Sequence, residues 1–95
     1  MRIETNKDLA LLAGRTDVAE LNCSCSKVTD SGLVHLAGMS GLKVISLFCT
    51  RVSDAGLAHL AGLSGLGGLG LGYTRVTAEG AVWIRKQLPN CDVWR

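Results

Sequence analysis

The side chains in this 95-residue chain with the most chemical potential are four cysteines, two histidines and a few carboxylates. Cys23, Cys25, Cys49 and Cys91 lack the paired C-x-x-C spacing of a structural zinc site. In an extended strand Cys23 and Cys25 point to opposite faces, so they cannot share one ion without breaking the strand. His35 and His59 lie 24 residues apart, and so do Asp30 and Asp54. Two histidines without a carboxylate at the same position make a poor metal site. The glycine-rich stretch Gly65 to Gly72 is not followed by Lys-Ser/Thr and does not precede a helix, so it is no phosphate loop. The histidine and carboxylate candidates occupy repeating positions, and no Ser-His-Asp arrangement is implied. The expectation is a protein that is not an enzyme and holds no cofactor and no metal.

The recurrence at 24 residues is the organising feature. Leu42, Ile45, Leu47, Thr50 and Val52 have copies at Val18, Leu21, Cys23, Ser26 and Val28, and again at Leu66, Leu69, Leu71, Thr74 and Val76. Each unit has two halves. The i, i+2 spacing of Ile45 and Leu47 is that of a short strand with one face buried. The i, i+3 spacing of Leu57, Leu60 and Leu63 is that of one helical face. Strands are therefore expected at 21–23, 45–47 and 69–71, with helices near 6–13, 30–37, 54–61 and 77–88. Thr29, Ser53 and Thr77 read as helix N-caps, with Asp30, Asp54 and Glu79 in the first turns. Gly38 and Gly62 sit where a helix commonly stops in the left-handed conformation. Strands recurring in one direction predict an α/β fold with a small parallel sheet and helices on its other side. The chain divides into a partial N-terminal unit at 6–17, units at 18–41, 42–65 and 66–88, and a closing cap at 89–95, all within one domain, 1–95.

Composition sets limits on partners. The chain is 47% hydrophobic, enough for a core, and its net charge is only +2. Its basic residues are scattered except for Arg85-Lys86, which argues against a nucleic-acid partner. The longest apolar candidate, 55–71, contains His59 and six glycines, so no membrane span is expected. The N-terminus has no signal-type apolar segment. These features read as a soluble, cytoplasmic protein.

The pattern Leu42-x-x-Ile45-x-Leu47 with Thr50 and Val52, and its copy from Leu66 to Val76, resembles a leucine-rich repeat. The Val-Thr/Ser-Asp-x-Gly-Leu segment is similar to the 24-residue subclass common in bacteria and to the cysteine-containing repeats of F-box proteins. Leu88-Pro89-Asn90-Cys91-x-Val93 resembles the last turn of such arrays. The family's usual Asn is replaced here by Ser26, Thr50 and Thr74, whose hydroxyls bond backbone more weakly.

The resemblance implies a right-handed solenoid with a parallel sheet on its concave face. It also implies a non-catalytic protein–protein interaction module. The positions it assigns to partner binding are Glu20, Asn22, Ser24, Val44, Ser46, Phe48, Cys49 and Tyr73, with Cys25, Gly68, Gly70 and Gly72 on the same face. Phe48 is read either as an exposed anchor on the central strand or as a ring packed along its neighbours. Tyr73 is a weaker anchor because glycines flank it. The glycines at 68, 70 and 72 either make room for a partner's backbone or mark degeneration of an unselected surface, the latter being favoured. Cys25 and Cys49 become lateral neighbours at the ends of adjacent strands. A disulfide or joint metal contact is then open geometrically, with two free thiols the expectation in a reducing compartment. Trp83 and Trp94 are read as shielding the last turn. The alternative function is a structural repeat fragment of a larger multidomain protein. Exposed edge strands leave room for weak self-association.

Overall fold

The computed structural model describes residues 1–95. Helix α1 (Asn6–Leu12) begins at Thr5, whose hydroxyl accepts the Asp8 N–H while the Asp8 carboxylate accepts the Thr5 N–H. This reciprocal cap satisfies two backbone donors that the helix cannot use itself. The chain then alternates β1 (Glu20–Asn22), α2 (Asp30–Leu33), β2 (Val44–Ser46), α3 (Asp54–Leu57), β3 (Gly68–Gly70), α4 (Ala78–Gln87) and β4 (Asp92–Trp94). A 3-10 turn, Val34–Leu36, extends α2.

The strands form one parallel sheet in the order β1-β2-β3-β4. Leu21 pairs with Ile45, Ile45 with Leu69 and Leu69 with Val93. One period of the sequence is thus one lateral step across the sheet. The helices pack side by side in the same order, α1 on α2, α2 on α3 and α3 on α4. Between the two layers lies a single core that includes Leu21, Ile45, Leu69, Leu33, Leu57 and Ile84. Medium-sized aliphatic side chains recur down each column, so every turn has a similar thickness. No buried side-chain nitrogen or oxygen lacks a hydrogen-bond partner.

Several expectations are corrected. Each strand starts one residue early, at 20, 44 and 68, because its first residue already pairs. The ladder does continue through Cys23 N–H to Ser46 O, Leu47 N–H to Gly70 O and Leu71 N–H to Trp94 O. The segment 89–95 contributes a fourth strand that the apolar spacing did not announce. The N-terminal unit also has a strand-like partner before it. Arg2 bridges Asn22 in parallel, with the Ile3 N–H donating to Asn22 O. The β1 edge is therefore covered rather than exposed. Gly38 and Gly62 are not left-handed; only Gly14 is, at φ 81°. After α2 and α3 the chain keeps right-handed i→i+3 bonding, as in Met39 N–H to Leu36 O and Leu63 N–H to Leu60 O. No reversal is required at either glycine.

At α4 the Thr77 hydroxyl caps as expected, accepting the Gly80 N–H at 3.1 Å, but the starts of α2 and α3 are built differently from ordinary N-caps. The Thr29 and Ser53 side chains make no cap bond to their own helices. Instead Ser53 donates its N–H and its hydroxyl to the Asp30 carboxylate, at 2.8 and 2.5 Å. Thr77 does the same to Asp54, at 2.8 and 2.5 Å. Asn6 plays the equivalent part for Thr29, accepting its N–H and donating to its hydroxyl. Asn6, Asp30 and Asp54 thus tie each helix start to the next one. The Thr77 bonds, side chain first, hold the Asp54 carboxyl below its ordinary range. Gly32, Gly56 and Gly80 accept these side chains: a Cβ there would collide with Asn6, Asp30 and Asp54 respectively. These glycines serve close approach, not backbone freedom.

Ser26, Thr50 and Thr74 close the strand ends. The Thr50 hydroxyl donates to Leu47 O at 2.8 Å and that of Thr74 to Leu71 O at 2.7 Å. Each also accepts the N–H two residues on, as does Ser26 from Val28.

Candidate functional site

After each of the first three strands the backbone turns at Cys25, Cys49 and Tyr73, with φ of 56°, 59° and 54°. These are the only non-glycine residues with positive φ, a conformation that costs an L-residue free energy. Its recurrence at one position per turn makes it a designed bend. The bend throws all three side chains outward, and all three are exposed. Backbone bonds hold it: Cys25 N–H to Phe48 O and Cys49 N–H to Gly72 O, both 2.8 Å.

Beside this bend the sheet carries an open cleft of about 610 Å³. Ser24, Ser46, Gly70 and Gly72 line its floor, and Phe48, Tyr73, Trp94 and Arg95 stand around it. Phe48 is 41% exposed and Tyr73 84% exposed. Their rings meet edge to face, with centroids 5.2 Å apart at 81°. The Ser24 and Ser46 hydroxyls hydrogen-bond each other at 2.6 Å. Arg95 is anchored by Nε donating to Val76 O at 3.1 Å.

The glycines of β3 have a physical explanation that the sequence did not suggest. A Cβ at Gly72 would lie 2.9 Å from Phe48 Cδ2, and one at Gly68 would lie 3.1 Å from the Trp94 ring. Phe48 thus lies across Gly72 and Trp94 across Gly68, two aromatic rings converging on β3 from its neighbouring strands. Gly70 between them is left as open floor. Gly68 and Gly72 are thus packed under rings, whereas a Cβ at Gly70 would make only ordinary contacts, at 3.6 Å and beyond. Phe48 is packed against Gly72 on one side and exposed on the other.

Of the eight residues predicted for partner binding, the cleft brings together Ser24, Ser46, Phe48 and Tyr73. Glu20, Asn22, Val44 and Cys49 are exposed but do not line it. Asn22 is committed locally, its Oδ1 accepting the Ser24 N–H at 3.1 Å and an Arg2 guanidinium N–H at 3.4 Å. Tyr73 is the more exposed of the two rings, and the glycine before it is covered by Phe48. Trp94 and Arg95 were missed as site residues. The period held the signal: Trp94 is one step beyond Gly70 and two beyond Ser46, and the register pairs Trp94 with Gly70.

Of the thiols, Cys23 is buried and its pKa is pushed up by burial to about 11 from 9.0. Cys91 is half-buried and also raised by burial. Cys49 is raised by hydrogen bonding to Cys25 and by repulsion from it. The Cys23 shift has a measurable consequence. Between pH 9 and 11 the unfolded thiol ionises while the folded one resists. Stability from this group is complete below pH 9 and declines by about 2–3 kcal/mol as pH rises to 11. Denaturant melts of Cys23→Val should show a clearly smaller alkaline decline than the parent. An equal decline would mean that Cys23 is not the titrating group.

No three or more His, Cys, Asp or Glu side chains gather where they could hold a metal ion. No helix is long and apolar enough to cross a membrane. No protein-family model matches this chain, and no curated protein matches it. The chain is a compact α/β domain with a four-stranded parallel sheet, whose open face holds an aromatic cleft floored by glycine and serine.

Proposed function

We propose that this chain is a short leucine-rich-repeat arc, a right-handed solenoid whose open sheet face binds a protein partner without catalysis. The carrying observation is the aromatic cleft. Phe48, Tyr73 and Trp94 supply large, partly exposed rings on a rigid sheet, and aromatic anchors dominate binding energy at protein interfaces. The recurrence of strand, left-handed bend and carboxylate tie at one period supports the repeat reading. Four free cysteines fit a reducing, cytoplasmic setting.

The test takes a partner recovered by pull-down from the source cell and measures its affinity for purified variants. Phe48→Ala and Trp94→Ala are each expected to weaken binding by about 30-fold, roughly 2 kcal/mol. Val82→Ala, on the exposed side of α4, should leave it unchanged. Circular dichroism confirms that each variant is folded. Equal affinity in all three would sink the cleft as the binding face.

A second reading is a structural repeat segment of a larger protein. It is favoured by the free edge of β4, where Val93 is only half-buried and Trp94 is exposed. Flanking sequence in the gene separates the two.

A further inference from the structure

Basic residues that look scattered along the sequence are gathered by the fold. Lys27, Arg51 and Arg75 lie 24 residues apart, each two places after the left-handed bend of its turn. The turns are held in register there by Cys25 N–H to Phe48 O, Cys49 N–H to Gly72 O and Arg75 N–H to Val52 O. The residues flanking each cation are wholly or partly buried, while all three cations are exposed. They therefore stand in a row along the rim where the strands end, about one strand spacing apart, roughly 4.8 Å. Arg95 joins the row. Its Nε donates to Val76 O, next to Arg75, and its side chain also stands at the wall of the cleft. The cationic rim thus runs into the aromatic cleft.

None of these four cations has a carboxylate within ion-pairing distance; the chain's ion pairs are Arg2–Glu4 and Arg15–Asp17. The neighbouring helix-start carboxylates are engaged elsewhere, Asp30 by Ser53 and Asp54 by Thr77. Arg95 is near enough to Asp54 for its charge to be felt but forms no ion pair with it. Glu79, in the first turn of α4, is exposed and pairs with none of the four. Like charges held side by side repel, and an anionic partner relieves that repulsion. The opposite end of the sheet has no such row: Glu20 and Asp92 begin β1 and β4, and Lys43 precedes β2. The open face is therefore polarised along its strands.

We propose that the partner segment is an acidic peptide. An aromatic or large apolar side chain enters the cleft beside Phe48, Tyr73 and Trp94, and flanking Asp or Glu carboxylates lie along Lys27, Arg51, Arg75 and Arg95. This rests on the reading of the cleft as a protein-binding face and adds the partner's charge and orientation. Guanidinium groups suit carboxylates because their paired N–H donors match the two oxygens. A nucleic-acid strand fits less well. Successive bases stack on aromatic faces, and the Phe48 and Tyr73 rings stand at 81° to each other rather than parallel.

The test is selection of short random peptides, displayed on phage, against the full chain, followed by affinities of the best synthetic peptide at low and high salt. Enriched sequences should carry several Asp or Glu beside an aromatic or large apolar residue. The double variant Arg51→Gln/Arg75→Gln should weaken binding about 10-fold at low salt and flatten its salt dependence. Lys7→Gln/Lys86→Gln removes the same net charge from exposed positions on α1 and α4 and should change neither. Phe48→Ala should weaken binding while the salt dependence stays. Peptides that need Phe48 but show no acidic bias and ignore the rim charges overturn this inference and leave the cleft standing. Peptides that ignore Phe48, or no enrichment over a blank surface, overturn both. Rim-dependent binding of oligothymidylate that is tighter than that of the best peptide overturns the acidic peptide in favour of nucleic acid.

Discussion

Replacing Gly56 by Ala is expected to destabilise the domain by about 2–4 kcal/mol, although Gly→Ala inside a helix normally gains up to about 1 kcal/mol. The added methyl would collide with Asp30 Oδ1 and come within 2.9 Å of Leu33 Cδ1. Asp30 cannot yield freely, because its carboxylate accepts both Ser53 donors. The substitution therefore combines overpacking, about 1–3 kcal/mol, with a disturbed pair of charge-assisted hydrogen bonds, about 1–3 kcal/mol. Gly62→Ala is the matched control. Its Cβ meets nothing within 4 Å and its φ is not positive, so the effect should stay within about 0.5 kcal/mol or be slightly stabilising. Urea melts of the two variants decide the matter. If both behave alike, Asp30 is not the tie between turns described above.

The second large effect is in the core of the central strand. Ile45→Ala should cost about 3–4 kcal/mol, within the range for large-to-small changes at fully buried sites. A 95-residue domain has a total stability of about 5–14 kcal/mol, so this single change would remove a large share. Ile45 is wholly buried and pairs with both Leu21 and Leu69, which puts it at the middle of the aliphatic column. Val44, one residue earlier, points to the other face and is exposed. Val44→Ala should change stability by no more than about 0.5 kcal/mol. A comparable loss at both positions would mean that the strand does not present alternate residues to core and solvent as built. Chemical denaturation at a single temperature measures both.

Much of the fold was legible in the chain because apolar spacing is a direct record of burial. Leu21, Ile45 and Leu69 were placed on the inward face and are there. The carboxylates and glycines were only half legible. Asp30 and Asp54 read as charges at helix starts, since sequence shows a residue's position in its own helix but not its reach into the next turn. Gly38 and Gly32 look alike as letters. One faces open space and the other an Asn6 side chain, a difference made by residues far away in the chain. The cleft was legible in part. Ser46 and Phe48 follow from alternation on the strand, but the rings of Phe48 and Trp94 lying across Gly72 and Gly68 do not. That arrangement depends on side-chain torsions and on β4 docking beside β3.

The sequence by itself determined the period, the strand-and-helix alternation, the inward columns and the parallel direction of the strands, because each follows from local spacing repeated in register. The tertiary structure alone decided the fourth strand, the covered β1 edge, the carboxylate ties between helix starts and the rings of Phe48 and Trp94 over β3. All of these are contacts between turns. They arise where side chains some two dozen residues apart meet across a few ångströms, a distance that stacking sets and local spacing does not encode.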